Sequence, residues 1–121
     1  MKNEISKVIA NTAYQTYERK LFKEVTDGPI PHHVAIIMDG NRRFAREFGL
    51  SANEGHVKGK EKLEEVMEWC LELGIKILTV YAFSTENLKR EAQEVEYLMD
   101  LFAENFRKLA KDERIHKHRI K

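Results

Sequence analysis

The sequence predicts an α/β fold, a parallel sheet with flanking helices arranged as a βαβα unit after an N-terminal helix. Two short runs, His33 to Met38 and Ile75 to Phe83, are rich in Val, Ile and Tyr and have strand composition. Between them Leu63, Val66, Met67, Cys70 and Leu71 fall at i, i+3, i+4, i+7 and i+8, the stripe of a core-facing helix, and Gly74 stands where a C-cap belongs. A helix joining two such runs is what a right-handed crossover between parallel neighbours requires.

Ile5, Ile9, Tyr14, Tyr17 and Leu21 recur every three to five residues among Lys, Glu and Asn, which predicts an amphipathic N-terminal helix with one buried stripe. It should stop at Asp27-Gly28-Pro29. His33 to Met38 is expected as a buried strand, turning at Asp39-Gly40-Asn41 into a short helix from Arg42 to Phe48 that Gly49 closes. After the second strand, Val95, Leu98, Met99, Phe102, Phe106 and Leu109 repeat the helical stripe. The basic end, Arg119-Ile120-Lys121, reads as the start of a third strand. The expected organisation is a helical segment over residues 1–28 and an α/β segment over residues 29–121.

With 121 residues, 42% hydrophobic and 34% charged, the chain has the profile of one soluble globular domain, which excludes disorder and collagen. Lys+Arg 21 against Asp+Glu 20 leaves +1, so no global positive excess draws it to nucleic acid, and any anion site must be local. Cys70 is the single cysteine, which excludes an intramolecular disulfide and a metal site built on several thiolates, and suits a reducing cytoplasm. The longest apolar run, Val34 to Met38, is far below the ~18 residues of a membrane span.

In open parallel sheets ligands bind beyond the carboxyl ends of the strands, and both strands release a polar cluster there. The first is Asp39-Gly40-Asn41-Arg42-Arg43. Gly40 lets the backbone approach a ligand, the amides opening the next helix face an anion, and Arg42 and Arg43 can add forked donors to phosphate oxygens. Asp39 could hold Mg²⁺ against the same phosphates, since that ion takes one or two carboxylates and leaves its other positions to water and substrate. Set against this, a bare Asp-Gly is usually an ordinary turn pair, and two arginines a solvated helix face.

The second cluster, Phe83-Ser84-Thr85-Glu86-Asn87-Leu88-Lys89-Arg90, supplies a hydroxyl, an amide and another arginine. Its bland reading is an N-cap, with Ser84 or Thr85 starting the next helix. His56, after Gly55, could donate to a phosphate or be a polar surface residue. His32, His33, His116 and His118 read as solvated surface, and Trp69 as packing at the core margin.

From His33 through Asp39-Gly40-Asn41-Arg42-Arg43 the sequence closely resembles the cis-prenyltransferases, the undecaprenyl and dehydrodolichyl diphosphate synthases. Gly55-His56, Trp69 to Ile75, and Tyr81-Ala82-Phe83-Ser84-Thr85-Glu86-Asn87 through Arg90 follow in the family's order and spacing. The lead-in from Tyr17-Glu18-Arg19 to Gly28-Pro29-Ile30-Pro31 is most similar to archaeal members.

The resemblance implies a transferase of isoprenoid biosynthesis, condensing isopentenyl diphosphate head to tail with an allylic diphosphate and forming a Z double bond each cycle. It implies Mg²⁺ as cofactor and Asp39 as the essential metal and diphosphate residue. Gly40, Asn41, Arg42, Arg43 and His56 resemble the positions that cradle the allylic diphosphate, with Phe44 beside its first isoprene unit. Ser84 and Asn87 resemble residues that position and deprotonate the incoming unit, Arg90 resembles its diphosphate contact, and Phe83, Thr85, Glu86 and Leu88 share that loop. A tunnel for the growing chain would be lined by residues such as Val57, Met67, Leu98 and Phe102.

Two positions depart from the family pattern. Ala52 stands where an arginine is common four residues before the histidine, and Leu88 where a tryptophan is common after the asparagine. The family also continues past Lys121 with further strands, more arginines and an acidic residue that completes the metal site across a dimer. The chain is therefore expected to self-associate or to dock with a complementing chain, and to meet a membrane peripherally through its product. The alternative is a non-catalytic module that binds an isoprenoid diphosphate or pairs with a complete synthase. A nucleotide-binding module is weaker, because the loop after the first strand lacks GxGxxG spacing and a P-loop lysine.

Overall fold

The computed structural model describes residues 2–119. Its elements are helix α1 (Lys2–Thr26), strand β1 (His33–Ile37), helix α2 (Asn41–Glu47), helix α3 (Ala52–Glu72), strand β2 (Ile77–Tyr81), a 3-10 turn (Thr85–Lys89), helix α4 (Ala92–Lys111) and helix α5 (Glu113–Lys117). The expected βαβα order after an N-terminal helix is present. Of the expected third strand, Ile120 and Lys121 lie outside the described residues, and Arg119 stands in a turn with φ 51°.

The chain divides into two compact units, Met1–Val34 with Met67–Thr79, and Ala35–Val66 with Val80–Lys121. The two strands form one sheet. In the first unit the amides of Lys76 and Ile77 donate to the His32 carbonyl at 3.2 and 3.1 Å, and in the second the Met38 amide donates to the Tyr81 carbonyl at 3.0 Å. Both registers advance together along the two strands, which makes the pairing parallel.

In the first unit, α1 ends at Thr26, where the Asp27 amide still donates to the Lys23 carbonyl at 2.9 Å. Its five-residue stripe is not buried: Ile5, Ile9, Tyr14, Tyr17 and Leu21 are 44–64% exposed. At about 100° per residue, Ile5 and Ile9 share one side of the helix while Tyr14, Tyr17 and Leu21 gather on the opposite side, so the five never formed one face. The carboxyl end of α3 buries Cys70, and burial raises its thiol above the usual range. Gly74 takes φ +72° as the chain leaves α3, a conformation that favours glycine. Leu71 and Trp69 are exposed, the latter at 48%, so the tryptophan is not a core residue.

The strands are shorter and less buried than expected. Each runs exposed, intermediate, exposed, intermediate, exposed, and Ile37 reaches 73% exposure. A strand of a parallel sheet reads as continuously apolar because both its faces are normally covered, and here only the face bearing Val34, Ile36, Leu78 and Val80 is partly covered. The core of the second unit is small, formed by Ala45, His56 and Leu98 among the described residues, with Gly55 beside them. On α4 the stripe residues Met99 and Phe106 are exposed, while Val95, Phe102 and Leu109 are half-buried.

Candidate functional site

The second unit contains every expected site residue. Met38, the residue after β1, pairs with Tyr81 at the end of β2, so the clusters that follow both leave the carboxyl edge of the sheet. Gly40 stands at φ +93° between strand and helix. A Cβ there would meet nothing closer than Arg43 Nη2 at 3.8 Å, so the left-handed backbone, not space, requires glycine. Asp39 is exposed, and its Oδ2 accepts from Arg43 Nη2 at 3.2 Å. An exposed pair of this kind contributes about 0–1 kcal/mol, so the fold does not depend on it and both groups remain open to a ligand. Arg42 is exposed as well, and Phe44 packs its ring on Phe48 with centroids 4.6 Å apart.

Two glycines on one side of α3 bring α2 in close. A Cβ on Gly55 would overlap the Asn41 carbonyl oxygen and stand 2.8 Å from Ala45 Cβ, and one on Gly59 would stand 2.5 Å from both terminal atoms of the Asn41 amide. Ala45 is accordingly 1% exposed. Gly59 is absent from the sequence-derived site, although its spacing of four from Gly55 was a readable sign of close helix approach.

His56 is not a surface residue: it is 7% exposed, and its Nε2 lies 2.9 Å from Glu94 Oε1. The same oxygen accepts from Arg90 Nη1 at 3.2 Å. Two expected site residues from different elements are thus joined by a glutamate that was not singled out. Its i, i+4 relation to Arg90 is legible, but its pairing with His56, 38 residues away, is not.

The loop from Phe83 to Arg90 forms the 3-10 turn, and Ser84 caps that turn, while α4 has Glu91 as its own N-cap. The Ser84 amide donates to Asn87 Oδ1 at 2.8 Å. The Asn87 carbonyl oxygen is therefore engaged, and its NH₂ remains as a donor. Phe83 meets Phe102 edge to face at 6.0 Å, and Thr85, Glu86 and Leu88 are exposed.

Between β1 and α3 an open cavity of about 200 Å³ has walls of Ile36, Met38, Leu63 and Val66, with Asp39, Asn41 and Lys62 also in its lining. The residues expected around a tunnel do not line it; Leu98 is core, and Val57 and Phe102 are half-buried. Among the described residues no three carboxylate, His or Cys groups gather in a metal-binding cluster. The lone carboxylate of Asp39 nevertheless fits Mg²⁺, which needs only one or two protein carboxylates when phosphates and water fill the rest. No helix among the described residues is long and apolar enough to cross a membrane.

A family described as "Putative undecaprenyl diphosphate synthase" matches residues 37–121. The chain is 53% identical over 116 residues to a protein of Thermoplasma acidophilum, which covers 96% of the chain and 45% of that relative. It is 54% identical over 119 residues to one of Pyrococcus horikoshii, covering 98% of the chain and 45% of the relative. A protein of Methanopyrus kandleri is 54% identical over 114 residues, covering 94% of the chain and 42% of the relative. All three carry the name tritrans,polycis-undecaprenyl-diphosphate synthase (geranylgeranyl-diphosphate specific), and the chain spans less than half the length of each. The turn after β1, the capped loop after β2 and these matches agree: the chain belongs to the undecaprenyl diphosphate synthase family, the cis-prenyltransferases, in which these three relatives are archaeal.

Proposed function

We propose that the chain supplies the allylic-diphosphate side of a polyprenyl diphosphate synthase that condenses isopentenyl diphosphate with an allylic diphosphate. The names of the relatives point to geranylgeranyl diphosphate as that allylic substrate. One observation carries this: Asp39 and Asn41 stand in the lining of a cavity whose walls are otherwise largely Ile36, Met38, Leu63 and Val66. A polar mouth on an apolar cavity suits a ligand with a diphosphate at one end and hydrocarbon at the other.

Asp39 would hold Mg²⁺ shared with the diphosphate, and the bound ion supplies positive charge against the departing group. Arg42 and Arg43 donate to phosphate oxygens, each guanidinium offering a planar fork. Gly40 gives the backbone room at the diphosphate, His56 adds its Nδ1 edge to the same side, and Phe44 packs on the first isoprene unit. Asn87, with its carbonyl oxygen held by Ser84, presents N–H donors to the incoming isopentenyl unit beside Arg90. Phe83, Thr85, Glu86 and Leu88 complete that side. Self-association or a complementing chain, and membrane contact through the long apolar product, belong to the same proposal.

Calorimetry tests it directly. Geranylgeranyl diphosphate should bind the chain with Mg²⁺ and much more weakly without it, while ATP, which carries phosphates but no isoprenoid, should not compete. Equal binding of ATP, or no binding of the isoprenoid diphosphate, refutes the assignment.

A further inference from the structure

Three charged or ionisable side chains meet on a single oxygen in the second unit. Glu94 Oε1, in the first turn of α4, lies 2.9 Å from His56 Nε2 and 3.2 Å from Arg90 Nη1. The side chains are 15%, 7% and 21% exposed in the order Glu94, His56, Arg90, so water competes little for these bonds. A carboxylate only accepts, so the ring nitrogen facing it carries a hydrogen, and the His56 ring is held with Nε2–H toward Glu94 and Nδ1 away from it. Arg90 spends one N–H of Nη1 on the same oxygen and keeps its remaining donors.

Removing the carboxylate would leave two covered donors without their acceptor, and each would swing or recruit water. Arg90 follows directly on the 3-10 turn and His56 stands on α3, and the single oxygen Glu94 Oε1 joins the two. The separation of the two basic groups is therefore set by what they share.

We propose that Glu94 is a positioning residue that does not itself touch the ligand: it fixes the ring of His56 and the guanidinium of Arg90 at one spacing, so that Arg90 presents its remaining N–H donors, and His56 its Nδ1 edge, to the diphosphate site. This rests on the diphosphate reading of the site. It predicts that losing Glu94 weakens binding through two residues that remain present.

The test combines a spectroscopic and a binding measurement on the 121-residue chain, parent against Glu94→Ala and Glu94→Gln. In the free parent, proton NMR should show a low-field, slowly exchanging His56 Nε2–H, assigned by its loss in His56→Gln. Glu94→Ala should lose that signal and bind geranylgeranyl diphosphate, with Mg²⁺, about ten to a hundred times more weakly, the range expected for lost charged hydrogen bonds. Glu94→Gln keeps an acceptor oxygen and should retain the signal with a smaller loss of affinity. Should Glu94→Ala fail to melt cooperatively, the glutamine variant decides, and affinity equal to the parent's overturns the proposal. A low-field signal that survives in a folded Glu94→Ala chain also overturns it. A parent that binds no isoprenoid diphosphate refutes the proposed function and the role together, whereas a parent and Glu94→Ala that bind equally well refute the role alone.

Discussion

The side-chain amide of Asn41 occupies the space where a Cβ on Gly59 would stand, at 2.5 Å from both its terminal atoms. The two residues also share the lining of the cavity behind Asp39. Gly59→Ala should therefore displace a flexible side chain at small cost in stability and weaken isoprenoid diphosphate binding. Gly55→Ala meets the Asn41 backbone and Ala45 instead, which cannot yield so easily, and should destabilise the chain by about 1–3 kcal/mol. Thermal melts and calorimetry of the two variants check the contrast, and similar melting losses for both would contradict it.

Asp39→Ala should leave the melting transition unchanged and abolish the Mg²⁺-dependent part of diphosphate binding, because the carboxylate is exposed and pairs only across the surface with Arg43. Arg43→Lys keeps the charge but loses the fork, and should cost about 1.5–3 kcal/mol of binding for a lost charged hydrogen bond. Calorimetry with and without Mg²⁺ reads both. A lysine variant that binds as tightly as the parent would return the arginine to a solvated helix face.

Ser51 and Glu54 open α3 with reciprocal bonds: the Ser51 amide donates to Glu54 Oε2 at 2.7 Å, and the Glu54 amide donates to Ser51 Oγ at 3.2 Å. The Ser51 amide, and then its hydroxyl, hold the Glu54 carboxyl below the usual glutamate range. Its folded pKa is depressed, so the stability it contributes is complete above the ordinary glutamate value and is lost as pH falls through the lower folded one. Parent and Glu54→Gln should differ by a constant amount at neutral pH and converge in acid. Ser51→Ala should cost about 0.5–2 kcal/mol at neutral pH, measured by denaturant titration.

Cys70 is 8% exposed, and burial raises its thiol above the usual range, so little thiolate is present at neutral pH. An aromatic disulfide reagent should label it slowly in the native chain and rapidly in denaturant. Rapid stoichiometric labelling of the native chain would show the residue to be accessible.

The order of elements, the glycine turns at Gly40, Gly49 and Gly74, the parallel crossover and both polar clusters at the sheet edge were legible in the sequence. Apart from the crossover, which follows from a helix linking two strand-like runs, each depends on neighbours within a turn or two of the chain, where period, turn chemistry and strand composition are local properties. Burial was not legible. The apolar residues of α1 and β1 predicted covered surfaces, but an apolar side chain states only a preference for cover, and what supplies cover is another element. The same limit explains the site. Asp39, Asn41 and Arg43 lie within five residues of chain and could be grouped by spacing, whereas the seat of Asn41 at Gly59 and the meeting of His56 with Glu94 exist only once α2 and α4 have settled beside α3. Contacts between residues 18 and 38 positions apart are decided by packing, which no local pattern encodes.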